Sequence, residues 1–356
     1  MDTVSVEKLE PAKTRREAGF TTLEMLVAMT LFAIVIGAVY GLLEVGRSAR
    51  FNAMESNEAA QDVRVGLNTM AKDVLNAGVD YPNAGSVMPN GWLTTNLLIT
   101  PDANTRGDNL TPVLPGYQLN TLVNSSVSPS VTTRTDQVTF VSTDSFFNSG
   151  VPLTVTAMNN STGRMTLINP QVNTVCNIGD LLFVNSSNSC GQCANGVVCM
   201  VTGKVTGSRA NDTIVTGSDP MSINDLTSGS SGNMLGVGTP AGAERITMVT
   251  YHVVDDGTGQ GTGTLMRTVW GGNNGSAAIR ATDQPLAFDV TAMTIQYYLQ
   301  NRTITSNPID ADFGNIRQLT VNITVKSPRR DPKTNQNYID TLSSTFNTRN
   351  LGYEKN

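Results

Sequence analysis

The most regular hydrophobic signal in this chain is at its start, where Phe20 to Leu43 is an apolar run interrupted by one acid, Glu24, and free of charge from Met25 to Leu43. A helix needs roughly 20 apolar residues to cross a hydrocarbon core, so this run predicts a membrane-spanning helix. The helical pattern then changes character without stopping. Ala60, Val63, Leu67, Met70, Val74 and Ala77 recur every three or four residues, with Gln61, Asp62, Asn68, Lys72 and Asp73 between them. That spacing predicts an amphipathic continuation that buries one stripe. Gly78 suits the position just past a helix end, and Tyr81-Pro82 follows.

Beyond the helix the period shifts from 3.6 towards 2. Segment 86–130 carries Pro, Gly and Asn clusters around short apolar pieces and reads as loop-rich with a short strand. Strands are expected at 137–141, 165–168, 180–184, 198–202 and 212–215, an exposed loop over 217–243, and a second group of strands at 246–254, 263–267, 290–299, 316–325 and 341–349. In the last group Leu319, Val321, Ile323 and Val325 alternate with Thr320, Asn322 and Thr324, which packs one face and wets the other. The fold class expected is α+β: a long N-terminal helix, spanning a membrane in its first half, laid on an antiparallel sheet with a β-rich insertion. The organisation expected is a leader at 1–19, a helix at 20–78 (transmembrane over about 20–43), a β- and loop-rich region at 79–243, and a C-terminal antiparallel sheet at 244–356.

Charge and composition narrow the chemistry. A net charge of −5 over 356 residues argues against a general electrostatic grip on nucleic acid. In the leader, the basic residues Lys13, Arg15 and Arg16 cluster close to the apolar run, and since acids such as Glu17 count for little in orientation this favours a cytoplasmic leader and an exported C-terminal bulk. His252 is the sole histidine of the sequence, so a multi-histidine metal site is excluded, and its strand setting favours a packing or surface role over catalysis. No Gly-Lys-Ser/Thr phosphate loop occurs, and no cofactor is expected. Asp310-Ala311-Asp312-Phe313-Gly314-Asn315 offers oxygen ligands, but it lacks the rest of a calcium loop and reads as a solvated turn.

Cys176, Cys190, Cys193 and Cys199 fall in one short stretch that includes a Cys-x-x-Cys. In an exported region, clustered cysteines favour two disulfides over a zinc site, with three connectivities open. Gly37 and Gly41 form a G-x-x-x-G pattern and Gly46 follows; close helix packing and the ordinary glycine enrichment of membrane helices both account for it.

Glu24 is the anomaly, because a carboxylate in a spanning helix is costly without a partner. A cut after Gly19 would place the new α-amine of Phe20 one helical turn away. Gly19, Phe20, Glu24 at the fifth position after the cut, and the apolar helix together resemble the processing and assembly signature of type IV pilins and type II secretion pseudopilins. The resemblance implies cleavage after Gly19 by a prepilin peptidase, methylation of Phe20, and docking into a filament guided by Glu24. Weaker strand patterns around Tyr251-His252-Val253, Leu265-Met266-Arg267, 290–298, 316–321 and 346–351 resemble PilW-like minor pilins and J-type minor pseudopilins. That resemblance implies a non-enzymatic minor pilin that helps start pilus assembly near the filament tip. Its partners would be other major and minor pilins, the peptidase and an inner-membrane assembly platform; it would be a single-pass inner-membrane protein before assembly and lie at the cell surface afterwards. A secretion pseudopilin, a pilus-borne adhesin or DNA-uptake subunit, and an anchored exported enzyme are the alternatives.

Overall fold

The computed structural model describes residues 19–100, 108–159, 162–168, 175–186, 196–205, 211–224, 240–271, 281–330 and 335–352. The leader, Cys190 and Cys193 lie outside the described residues. Two units are distinguished, Met1–Ala53 and Met54–Asn356.

In the first unit the described chain is helical from Thr22, the start of α1 (Thr22–Asn76, 55 residues). Its span Thr22–Arg50 is long and apolar enough to cross a membrane, and none of it is buried. Gly37, Gly41 and Gly46 do not interrupt the helix, and a Cβ at any of them would meet nothing within 4 Å.

In the second unit the amphipathic part of α1 meets an extensive sheet. The remaining elements are β1 (Ser86–Val87), α2 (Trp92–Leu97), β2 (Asn109–Leu110), β3 (Val113–Asn124), β4 (Val131–Thr143), β5 (Leu153–Asn159) and β6 (Arg164–Ile168). After these come β7 (Leu181–Ser186), β8 (Val197–Met200), β9 (Gly203–Val205), β10 (Asn211–Val215), β11 (Pro240–Asp255) and β12 (Gly263–Trp270). The last are β13 (Ala281–Leu299), β14 (Ile304–Thr305), β15 (Ile316–Arg330) and β16 (Asn337–Asn347). The principal path runs β16-β15-β13-β12-β11-β5-β6-β10-β9, with β4 and β7 also paired to β11. Every described ladder is antiparallel except the single-residue match of β1 to β8. The fold is therefore α+β. β11 joins strands on both sides of position 243, through Ile246 to Thr143 of β4 and Val249 to Val269 of β12.

Strand alternation sorts the side chains. Val249, Tyr251 and Val253 of β11, Ile295 and Tyr297 of β13, and Leu319, Val321 and Ile323 of β15 share one apolar cluster with Val63, Leu67, Met70 and Val74 of α1 and with Ala77 just past its end. Ile246 and Met248 turn to the other face, where Tyr81, Met88, Trp92 and Leu93 cover them. A third cluster joins β5, β6 and β10 to β7 and β8. The helix ends at Asn76, and Gly78 lies two residues past it. Gly78 takes φ +78°, its amide donates to the Val141 carbonyl at 2.9 Å, and a Cβ there would lie 2.9 Å from Leu351 Cδ2.

Three segments depart from expectation. β3 is a full strand where a loop-rich stretch was expected, because Pro115 and Gly116 sit at a bulge rather than a break. Asp136 of β4 stabilises that bulge by accepting from the Gln118 amide at 2.9 Å, at a φ of +52°. The expected exposed loop 217–243 begins with a packed turn: Met221 and Ile223 are buried, and Asp219 accepts from the amides of Met221, Ile223 and Asn224. Its end is already β11 from Pro240, while 225–239 lies outside the described residues. The last strand stops at Asn347, where Thr348 turns inward and its Oγ1 donates to the Ile316 carbonyl at 2.9 Å.

Candidate processing and assembly site

The beginning of α1 is closed by a reciprocal cap. Thr21 is the N-cap and Glu24 the third helical residue. The Glu24 amide donates to Thr21 Oγ1 at 3.3 Å, while the Thr21 amide and hydroxyl donate to Glu24 Oε2 at 2.9 and 3.0 Å. This is a capping box, in which two otherwise unpaired helix-end donors are satisfied. Glu24 thus has a partner within its own chain, a neutral one rather than the cation expected from its charge. The signal was present: Thr21-Thr22-Leu23-Glu24 has the T-x-x-E spacing that marks a helix start.

Gly19 and Phe20 precede the cap in non-helical backbone, and Phe20 is 90% exposed. The Gly19–Phe20 bond therefore lies outside the first helical turn. The run that follows is apolar on every side, with Leu23, Met29, Phe32, Ile34, Tyr40 and Leu42 all open. Thr30, the aliphatic hydroxyl within the uncharged core, donates to the carbonyls of Leu26 and Val27 at 3.0 and 2.8 Å. Such back-bonding hides a polar group inside an apolar helix.

Further along α1, polar groups fix the helix to the sheet of the second unit. Arg267 of β12 grips Asp73 with two donors, Nε to Oδ2 at 2.8 Å and Nη2 to Oδ1 at 3.2 Å, and the Tyr251 hydroxyl donates to Oδ2 at 2.6 Å. Burial, reinforced by the Asp73 charge, pushes the Tyr251 phenol up, which keeps it a proton donor at any physiological pH. A two-pronged guanidinium contact fixes orientation as well as distance.

Other candidate chemistry is separated from this segment in sequence and setting. His252 of β11 bonds through Nε2 to Thr268 Oγ1 at 2.9 Å, and Thr268 donates onward to Asp283 at 2.6 Å. Burial pulls the His252 imidazole down, with Asp283 opposing. Arg245 binds Asp144 at 2.6 Å and Asp180 at 3.4 Å beside a cavity of about 30 Å³ lined also by Gly179, Trp270 and Gly271. One Asp180 oxygen has no protein partner there, and the cavity has room for water but not for an organic substrate. Residues 310–315 form a 3₁₀ turn in which Asp312 accepts from the Ile309 amide at 3.4 Å. Among the described residues no three His, Cys, Asp or Glu side chains gather as a metal shell. Cys176 and Cys199 are buried free thiols.

Comparison with known families places the distinctive segment. Residues 14–40 match the model of the prokaryotic N-terminal methylation motif. The match covers Gly19, Phe20, Glu24 and the first part of α1, and supports a type IV pilin-like or pseudopilin precursor of the kind cleaved by a prepilin peptidase. The motif points to a structural, non-enzymatic protein, and with the apolar helix it fits membrane anchoring. No curated protein matches the chain.

Proposed function

We propose that this chain is a minor pilin of a type IV pilus, PilW-like in its sheet. It is inserted in the inner membrane with its leader cytoplasmic and its β-rich head periplasmic, cut after Gly19, and methylated on Phe20. It then joins other pilins through α1 to help start the filament near its tip. The observation that supports this most is the methylation motif followed at once by a capped, uncharged helix whose apolar side chains are not buried among the described residues.

Capping makes the assembly role of Glu24 more specific. Before processing, Thr21 holds the carboxylate. The cut creates a cation at Phe20, and the carboxylate exchanges a neutral partner for a charged one, in its own chain or in a neighbour. Hydrogen bonds between ionised partners are the stronger class, so the exchange favours the processed chain in a filament. Region 79–243 then forms the displayed insertion of the head, and catalysis has no part in this function.

Mass spectrometry of the N-terminus tests the proposal, using sheared filaments and cells without the prepilin peptidase. The expected result is a chain starting at N-methylated Phe20 in the filaments and an unprocessed leader in the peptidase-deficient cells. An intact leader in wild-type cells, or a cut elsewhere, overturns it. Loss of pili on deletion of the gene, with protein secretion intact, separates the pilus role from that of a secretion pseudopilin.

A further inference from the structure

Cys176 and Cys199 occupy the same apolar cluster for reasons of strand register. β7 and β8 pair with Leu182 opposite Cys199 and Val184 opposite Val197. Alternation sends Leu182, Val184, Val197, Cys199 and Val201 into the cluster shared with β5, β6 and β10, while Phe183, Val198 and Met200 face the other way. The pairing runs past the strand ends: Gly179 donates to the Val201 carbonyl at 2.7 Å, and Val201 donates to the Asp180 carbonyl at 2.9 Å.

Just before β7 the chain makes a tight turn. The Asp180 amide donates to the Asn177 carbonyl at 3.1 Å, and Asp180 Oδ2 accepts from the Asn177 amide at 2.8 Å. This reversal brings Cys176 back to the start of β7, and Lys204 reaches its carbonyl at 2.5 Å. Cys176 is fully buried in that cluster, as is Cys199. We propose that Cys176 and Cys199 form a disulfide in the mature protein. Of the three connectivities that the sequence leaves open, this one joins two cysteines buried in the same cluster.

The exchange is a two-step oxidation by a disulfide donor, either an oxidised dithiol protein or a small-molecule disulfide. One cysteine thiolate attacks the donor, releases one donor thiol and forms a mixed disulfide. The second thiolate attacks the cysteine sulfur of that mixed disulfide and releases the second donor thiol. Two protons leave the protein, and the donor takes up the electrons. Burial pushes both thiols up to about 12, so the folded reduced head has almost no thiolate to start the exchange. The bond therefore forms while the head is still folding and then resists mild reductants.

The presence of a physiological oxidant rests on the export reading above, but the choice of pairs does not. The test accordingly begins with full-length chain, denatured and reduced, then refolded in detergent with reduced and oxidised glutathione. Free thiols are alkylated, and the chain is cut before Asp180 with Asp-N and before Val197 with thermolysin. The expected product is a cross-linked pair of peptides carrying Cys176 and Cys199, reducible after denaturation but not by glutathione in the folded state. A bridge from Cys176 to Cys190 or Cys193, four alkylated cysteines, or one zinc ion per chain in native mass spectra overturns the proposal. A Cys176→Ala/Cys199→Ala chain should melt about 5–10 °C lower, and Cys190→Ala/Cys193→Ala should lose less than half of that. Equal losses in the two variants also overturn it. The N-terminal mass of exported material, measured separately, reports on the export reading without touching the pairing.

Discussion

The two parts of α1 share one backbone geometry and differ in where their apolar side chains go. From Thr22 to Arg50 no residue is buried among the described residues, whereas Val63, Met70 and Val74 are wholly buried in a cluster with β11, β13 and β15. Helical hydrogen bonds satisfy the backbone equally in both, so helix formation says nothing about the partner. What differs is the distribution around the axis. A one-sided stripe fits a sheet supplied by the same chain, while an all-round apolar surface needs lipid or other helices.

The largest expected contrast comes from placing a charge in each part. Met70→Asp should prevent the head from folding, read as loss of the cooperative melting transition, since it buries an unpaired carboxylate. Leu31→Asp should leave head melting unchanged and instead abolish membrane insertion, read by fractionation. A head that unfolds with Leu31→Asp would break the comparison. In milder form, Met70→Ala should cost about 2–5 kcal/mol by leaving a cavity.

Next in size is the polar contact that fixes the helix. Asp73→Ala leaves the Arg267 guanidinium and the Tyr251 hydroxyl without their acceptor. The loss should be about 2–3 kcal/mol in chemical denaturation, below the full cost of breaking a buried pair, because the two charged side chains keep 16% and 17% of their surface. Asp73→Asn should recover part of it by still accepting from Tyr251.

A smaller structural effect with a selective outcome is expected at the cap. Thr21→Val removes the hydroxyl from the reciprocal box, while Thr21→Ser retains it. Head melting should not move in either variant. Filament incorporation should fall several-fold in the valine variant and recover with serine, and equal incorporation of both would remove Thr21 from the assembly argument.

The smallest effect concerns the sheet face turned away from α1. His252 has a lowered pKa in the folded head, so the folded state binds fewer protons than the unfolded chain. Its contribution is present above the ordinary value of 6.5 and is lost as pH falls through the lowered one. Melting at pH 7 and pH 5 should show His252→Gln sparing about 1–3 °C of the decline seen in the parent chain. An identical decline in both would mean that His252 does not contribute.

Legibility followed the range of the interactions. The Gly19-Phe20-Glu24 pattern, the apolar run, the amphipathic stripe and the Gly78 stop are local regularities, and the C-terminal strands are legible because alternation needs only neighbours in sequence. β3 was not legible, because its bulge depends on Asp136 from the adjacent strand and looks locally like a break. Met221 was not legible either, since its carbonyl is the acceptor for Trp92 Nε1 at 2.8 Å across a long sequence separation.

By itself, then, the sequence determined the helix and the change in its apolar pattern along the way, since each depends on periodicity. Tertiary structure alone decided that Asp73 meets Arg267 and Tyr251, that β11 links strands from both sides of position 243, and that Cys176 shares a cluster with Cys199. Those outcomes depend on strand register, and register is fixed by how distant apolar faces are buried together.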